Sequence, residues 1–575
     1  MTNFAILNFK SACIKFPRPC RLDFEKVITA ETISEIPSAF EQLESLLDEG
    51  YHACIYICYE AAPAFDSSLT VKEKNPDLPL LYMGLSKELT FYNRVKSGER
   101  LADFTPLWSQ SDYAEKFKKI QQAIYNGESY QLNLTFPLEA DIPDDPEKVY
   151  QTLLEKQATE YSVFMQTGET SILSVSPELF FEKTGNGIRT KPMKGTRVRG
   201  INSSDDKRIS EELKSSEKDR AENVMIVDLL RNDLGRIAEK GTVKTPALFE
   251  LEKYSTVWQM TSTVEATLRD DLNFFDIFSA LFPCGSVTGA PKVKSMEIIA
   301  AAESQARGIY CGSIGYISPE RDAIFNVAIR TMTIQTSKAT YNVGSGVVSD
   351  SELQNEYDEC LAKAAFIHAI EKDFQLLETF LWTKEHRYHH YDEHIKRLTE
   401  SADFFSFDYD LPSIESVLAW GSEDWTEDMR VRMLLNRYGW VSIDPTPISK
   451  EAKNPQTISF AEDPISTSNQ YVYYKTNKRE VYDNAVPSRE TDECLLYNER
   501  DEITETRISN IIVKIDNQWC TPSLECGLLD GTYRRQLVEL GEIKEVVIHK
   551  DQLNEETEIE LINSVRGRWP VKLIL

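Results

Sequence analysis

The sequence predicts an α+β protein of more than one domain, and three features carry that expectation. The chain has 575 residues, beyond the roughly 250 to 300 at which a single hydrophobic core stops growing. Its 41% apolar, 10% aromatic and 27% charged residues are those of an ordinary globular protein and exclude disorder as the default. Strand-like apolar runs alternate with amphipathic helical ones without a period of roughly 20 to 50 residues, so a solenoid is excluded.

Residues 1–107 mix strand-like runs such as YHACIYICYE with Pro-rich turns. Residues 108–375 alternate strands with strongly amphipathic helices and read as one catalytic unit. The clearest helix is SDSELQNEYDECLAKAAFIHAIEKDF: Ser349 precedes Glu352 by three residues, a capping-box spacing, and the helix is predicted to end near Asp373. LLETFLWTKEHRYHHYDEHIKRLTESADFF then starts a new strand-then-helix pattern with no Gly/Ser linker before it. The boundary therefore falls near residue 375 and leaves 376–575 as a separate domain.

Charge narrows the function. Acidic side chains number 92 against 64 basic ones, a formal charge of -28 that repels nucleic acid and an anionic membrane face. An anionic metabolite must then be met by local arginines, backbone amides or a bridging metal ion. The start, MTNFAILNFKSACIKF, lacks a secretory pattern, no run reaches about 18 apolar residues, and a cytoplasmic protein is expected. Ten cysteines without CxxC spacing suit buried, reduced thiols.

Four ordered segments carry a resemblance: SYQLNLT, SPELFFEKTGNGIRTKPMKGTRVRG, AENVMIVDLLRNDLGRI, and GSVTGAPK followed by YCGSIGY and GSGVVSDSELQNEYDECLAKA. Together they resemble the chorismate-using enzymes that include anthranilate synthase and aminodeoxychorismate synthase component I, and so imply the chorismate-binding fold of antiparallel sheets flanked by helices. The residues suit a dianionic enolpyruvyl ether. GSVTGAPK offers glycines that let amides approach a carboxylate, with Thr288 beside Gly289 as a hydroxyl donor, and Gly344 and Gly346 lie in the last segment. The resemblance gives Tyr310 and Arg330, the latter on the strand-like run IFNVAIRTMTI, the enolpyruvyl carboxylate. Glu356 and Glu359 share a helix face, and with Glu222 they are the implied magnesium ligands.

Within that family Lys194 of KPMKGT matches aminodeoxychorismate synthase, whose lysine here attacks the ring, whereas anthranilate synthases carry a small residue. Gln131 stands where isochorismate and salicylate synthases have a water-activating lysine, so ammonia is the implied nucleophile. Glu178 is the implied general acid. Gln259 replaces a histidine common among relatives. No GxCxG nucleophile motif is present, so a separate glutamine amidotransferase subunit is the implied ammonia source.

A second set, ETFLW, DEHIKRLTESADFFSF, RVRMLLN, YVYYKTNKRE, DEITETRISNII and TPSLECGLLDGTYRRQL, resembles class IV pyridoxal-phosphate enzymes. It implies a fold-type-IV α+β domain with Lys475 delivered on a strand to the cofactor and Glu505 at the pyridine nitrogen. The phosphate contacts carried over are Arg432, with Arg430 as fallback, and the amides of Ser509, Asn510 and Thr532, where Gly531 opens a helix. About 200 residues remain for this domain, short for its family, and a homodimer through it is one expectation. Jointly the halves imply a para-aminobenzoate synthase and lyase feeding folate synthesis. The rivals are an anthranilate or isochorismate-type synthase with an unrelated aminotransferase, and a synthase with a silent C-terminal assembly module.

Overall fold

The computed structural model describes residues 3–9, 19–95, 97, 101–142, 145–157, 159–254, 257–368, 374–448 and 454–575. The chain is α+β and divides into two compact units, Met1–Arg199 with Ile209–Ile370, and Gly200–Arg208 with Glu371–Leu575.

In the first unit the described residues build two ten-stranded sheets. Period-two alternation decides which face each side chain serves. Ala53, Ile55 and Ile57 of strand His52–Ile57 join one core cluster, while Cys54 and Tyr56 join another. Strand Phe4–Phe9 does the same with Phe4 and Ile6 against Ala5, Leu7 and Phe9. The shared cluster draws side chains from both sheets, and each of the other two packs one sheet's outer face against helices. The result is a helix–sheet–sheet–helix stack. Residues 1–107 do not stand apart from this core: Phe4–Phe9 pairs with Tyr161–Thr167 in one sheet, and His52–Ile57 with Ser313–Ile317 in the other.

The chain passes from one sheet to the other at two places that matter later. Strand Thr170–Ser176 belongs to the first sheet and Leu179–Thr184 to the second, leaving Pro177 and Glu178 at the crossing. The run IFNVAIRTMTI, expected as one strand, also breaks here. Ala323–Val327 lies in the second sheet and Thr331–Gln335 in the first, and Arg330 adopts a left-handed φ of 50° between them. One strand cannot serve two sheets, so the crossing costs a residue its β conformation. The Val327 amide donates to the Glu178 carbonyl, which ties the two crossings together.

The long helix spans Leu353–His368. It starts later than Ser349, and Ser351 is the hydroxyl that works at this end, accepting from the Val348 amide and donating to Glu356 Oε1 at 2.6 Å. The expected end near Asp373 lies outside the described residues.

The second unit carries, among the described residues, a four-stranded antiparallel sheet and an eight-stranded mixed sheet. Lys475 was expected on a strand. Instead YVYYKT begins in the 3₁₀ turn Gln470–Val472 and then loops, joined to strand Leu376–Thr383 by a single bridge between Thr476 and Leu376. The Leu377 amide donates to the Lys475 carbonyl at 2.9 Å, which fixes the lysine without a ladder. No helix among the described residues is long and apolar enough to cross a membrane, and no disulfide joins the described cysteines, all of which are buried.

The first unit is also held by a buried pair. Arg307 and Glu303, with side chains 2% and 4% exposed, meet at 2.7 Å. Arg307 further donates to the carbonyls of Val287 and Asn133. Removing one member of a buried pair leaves the other charge unpaired. Arg307→Met should therefore destabilise this unit by about 3–5 kcal/mol in denaturant unfolding; a loss under ~1 kcal/mol would show that Glu303 simply neutralises.

Two candidate active sites

The sheet crossings of the first unit open onto a cavity of about 330 Å³ lined by Glu178, Lys194, Glu222, Gln259, Tyr310 and Arg330, together with Gly344, Gly346, Glu356, Glu359 and Lys363. Lys194 lies on strand Met193–Val198, where the register shifts between Met193 and Thr196. A Cβ built on Gly346 would lie 2.7 Å from both Lys194 Nζ and Gln131 Nε2. The amine and the amide thus converge on one glycine, and a side chain there would push one or both of them aside.

Burial sets the charges. Glu178 is 4% exposed and its Oε1 has no hydrogen-bond partner. Loss of water pushes its carboxyl up to about 7, against the opposing pull of Ser286 and Lys194. Burial draws the Lys194 amine below its ordinary range, and Lys363 adds to the effect while Glu222 and Glu359 resist it. Arg330 Nη1 is buried without a partner, an orphan cationic donor in an oxygen-rich cavity.

The three implied metal ligands share this cavity but are not gathered into a ligand cluster; among the described residues no such group is found. Glu359 pairs with Lys363 at 2.7 Å, and Lys363 also donates to the Gly344 carbonyl. Glu356 is held by Ser351. The all-oxygen donor set is what a hard dication takes, so the chemistry fits magnesium, although the lysine stands on one ligand. Thr288 and Gly289 are not in the lining. Thr288 Oγ1, fully buried, is committed to the Cys284 and Gly285 carbonyls, and Ser286 and Val287 face the cavity in their place.

The second unit holds a smaller cavity of about 60 Å³ lined by Lys475, Glu505, Ser509, Asn510, Gly531 and Thr532, with Arg397, Arg479 and Tyr482. Burial lowers the Lys475 amine to about 8, helped by Arg397. Burial also raises Glu505 to about 7, although Leu529 N, Tyr482 Oη and Asn510 Nδ2 all donate to it. Gly531 caps helix Thr532–Glu539, and a Cβ there would strike Asn510 Oδ1 at 2.0 Å. Free amides at that helix start suit a phosphate, while the Ser509 amide is spent on Thr506 Oγ1. A buried amine, a buried acid and an anion-binding helix start together fit pyridoxal phosphate.

Arg432 and Arg430 are absent from this lining. Strand Met429–Leu435 sends Met429, Val431, Met433 and Leu435 into the core, which leaves both arginines on its other face. Arg397 of DEHIKRL takes the cavity position, clamped by Glu378 at 2.9 Å through Nε. Glu378 also meets His394 Nδ1 at 2.6 Å. These residues had a sequence signal: a lone Glu in the apolar run LLETFLW, and His394 and Arg397 three apart on one helix face. Lys363, four residues beyond Glu359, had the same kind of signal.

Residues 92–369 match the chorismate binding enzyme family and residues 375–574 match amino-transferase class IV. Aminodeoxychorismate synthase component 1 of Bacillus subtilis is 38% identical over 272 residues, covering 47% of this chain and 58% of that protein. Anthranilate synthase component 1 of Aquifex aeolicus is 35% identical over 283 residues, covering 49% of this chain and 57% of its own length. The chain thus spans little more than half of these curated relatives. The crystal structure of anthranilate synthase component I from Streptococcus pneumoniae superposes with a TM-score of 0.53 at 23% identity, covering 64% of this chain and 92% of that one, and shares the fold.

An amine held below its ordinary pKa carries more free base at a given pH. Lys194 should therefore be acylated by acetic anhydride at pH 8 severalfold faster than exposed Lys118, read by peptide mass spectrometry, and Gly346→Ala should alter that rate by displacing Nζ. Equal labelling of Lys194 and Lys118 would show that the amine is not depressed.

Proposed function

We propose that this chain, which joins a chorismate binding enzyme domain to an amino-transferase class IV domain, converts chorismate and ammonia to 4-amino-4-deoxychorismate and then to 4-aminobenzoate for folate synthesis. The observation that carries the reading is the convergence of Lys194, Gln131 and Gly346 beside the neutral-range acid Glu178. Similarity over about half of the chain runs to both aminodeoxychorismate and anthranilate synthases, so it is Lys194 that chooses between them, while Gln131 speaks against an isochorismate-type reaction.

In the first step Lys194 Nζ forms a bond to the ring of chorismate as the ring hydroxyl departs, and Glu178 supplies the proton that lets it leave as water. Ammonia then forms the new C–N bond as the Lys194–carbon bond breaks, and the Glu178 carboxylate takes back a proton. Arg330, with its unpartnered Nη1, and Tyr310 hold the enolpyruvyl carboxylate. Magnesium, when bound to Glu222, Glu356 and Glu359, supplies positive charge for the ring carboxylate. The relatives' name, component 1, points to a second component, and a glutaminase subunit is the ammonia source in this reading.

In the second step pyridoxal phosphate, when bound, supplies an electron sink for the pair left as a ring proton is lost. Lys475 takes that proton. Its depressed pKa leaves about a tenth of it as free amine at pH 7. Glu505 faces the pyridine nitrogen, Arg397 and the amides of Asn510 and Thr532 hold the phosphate, and pyruvate departs as the ring becomes aromatic.

Two measurements test the halves separately. Glu178 works protonated, so aminodeoxychorismate formation with ammonium and magnesium should fall as pH rises through about 7. Glu178→Gln should lower the rate ~10²–10⁴-fold and remove that limb, and Lys194→Ala should abolish amination with the fold intact; normal amination by Lys194→Ala would sink the first assignment. For the second half, the chain supplemented with pyridoxal phosphate should turn yellow and Lys475→Ala should not. A colourless wild type would leave 376–575 an inert module.

A further inference from the structure

The implied magnesium ligands come from two helices that share no core. Helix Glu217–Gly235 carries Glu222 and buries Ile226, Val227, Leu230 and Leu234 in one hydrophobic cluster. Helix Leu353–His368 carries Glu356 and Glu359 and buries Cys360, Ala364 and Ile367 in another. Packing therefore fixes each helix on its own and leaves their separation to other contacts. The three carboxylates line one cavity without forming a ready cluster among the described residues. Drawing them onto an ion works against their mutual repulsion.

One contact joins the two helix starts. Lys218 Nζ donates to Asp350 Oδ2 at 2.8 Å, and among the described residues no other hydrogen bond or ion pair links Glu217–Gly235 to 348–368. Lys218 stands one helical turn before Glu222, on the same face, and lines the first cavity. Asp350 lies outside that lining, in the turn that leads into the second helix. Both ends are pinned locally. Ser216 accepts from the Asp219 amide and caps the helix that carries Lys218. Ser351, next to Asp350, accepts from the Val348 amide and donates to Glu356. Asp219 in turn meets Arg197 at 2.6 Å, which ties the same helix start to the strand of Lys194.

We propose that the Lys218–Asp350 pair is a positioning contact that holds the Glu222 helix against the helix of Glu356 and Glu359, and so sets the affinity of the first cavity for a divalent cation. The proposal rests on the magnesium reading given above and deepens it. Neither residue is a ligand: an ammonium cannot bind a cation, and Asp350 is committed to Lys218. The pair is exposed and contributes little to folding. Its leverage comes from joining two helices before the ion arrives, so that less ordering remains for binding to accomplish. Bare charge acts differently, because an ammonium beside the site repels a dication and its loss would tighten binding.

The test titrates Mg2+ calorimetrically into the full chain as wild type, Asp350→Asn, Lys218→Met, the double variant and Lys218→Arg, with Glu222→Gln to show that the heat belongs to this site. Asp350→Asn and Lys218→Met should each weaken Mg2+ binding about two- to fivefold, the double variant should be no weaker than either, and Lys218→Arg should stay near wild type. Melting temperatures should hold. In Asp350→Asn the Mg2+ concentration for half-maximal aminodeoxychorismate formation should rise by the same factor, while the rate at saturating Mg2+ holds. Tighter binding in Lys218→Met overturns the proposal, because charge alone would then act. Unchanged binding in both single variants, additive losses in the double variant, or losses that track a fall in melting temperature overturn it as well. If Glu222→Gln loses Mg2+ while the pair variants keep it, the magnesium reading stands and the positioning role falls. If the wild type binds no Mg2+, or Glu222→Gln binds it unchanged, both fall.

Discussion

Taking charge out of water is the cost around which both cavities are built. In the first unit an acid, an amine and a guanidinium stand within one cavity of about 330 Å³, and burial is the largest influence on each: Glu178 rises to about 7, and Lys194 and Arg330 fall. Fully paired, these groups would cancel and do no chemistry. Left half-paired, they remain costly and reactive, and the surrounding sheets must hold them there. The pinning comes from the double crossing at Pro177–Glu178 and Ala328–Arg330, linked by the Val327 amide and the Glu178 carbonyl. Arg307 holds the opposite wall through the Val287 and Asn133 carbonyls.

That crossing explains what the sequence hid. Strand periodicity in IFNVAIRTMTI is real on both sides of Arg330, since Ala323–Val327 and Thr331–Gln335 are both strands. Periodicity reports local conformation, but the choice of sheet is set by pairing with residues far along the chain. The same limit applies to Lys475, whose apolar flank reads as a strand yet is anchored by one bridge and a 3₁₀ turn. Thr288 looked like a donor because hydroxyls next to glycines commonly serve anions, while its real partners are the carbonyls of its own turn. By contrast, motif order alone brought Glu178, Lys194, Tyr310, Arg330 and the three glutamates to one cavity. Short motifs encode the residues that must touch one another.

Arg397 and Arg432 show what alternation says about which arginine lines the second cavity. RVRML places its arginines out of phase with Val431 and Met433, which fill the core, so a strand burying the apolar set must expose Arg432 away from it. The helix carrying His394 and Arg397 buries both instead, because Glu378 pairs with them from the neighbouring strand. Burial of two basic residues on an amphipathic helix requires an acid nearby, and the Glu of LLETFLW was available in the sequence for that role.

Net charge sharpens the division of labour between the cavities. A molecule with 92 acidic residues repels anionic substrates at long range, so recognition must be local and dense in donors. The first cavity achieves this sparingly, since its five carboxylates, Glu178, Asp219, Glu222, Glu356 and Glu359, are met by five cations, Lys194, Arg197, Lys218, Arg330 and Lys363, and Lys363 is paired with Glu359 on the same helix. The second cavity has six basic groups around a single carboxylate, Glu505, and neutralises three of them, Arg397, Arg507 and Arg534, with acids placed outside the lining, at Glu378, Glu493 and Glu545. Charges matched from behind keep their geometry while losing their pull on a ligand. A change at Arg534, held by both Asp530 and Glu545, therefore alters how the domain is held rather than what the cavity attracts.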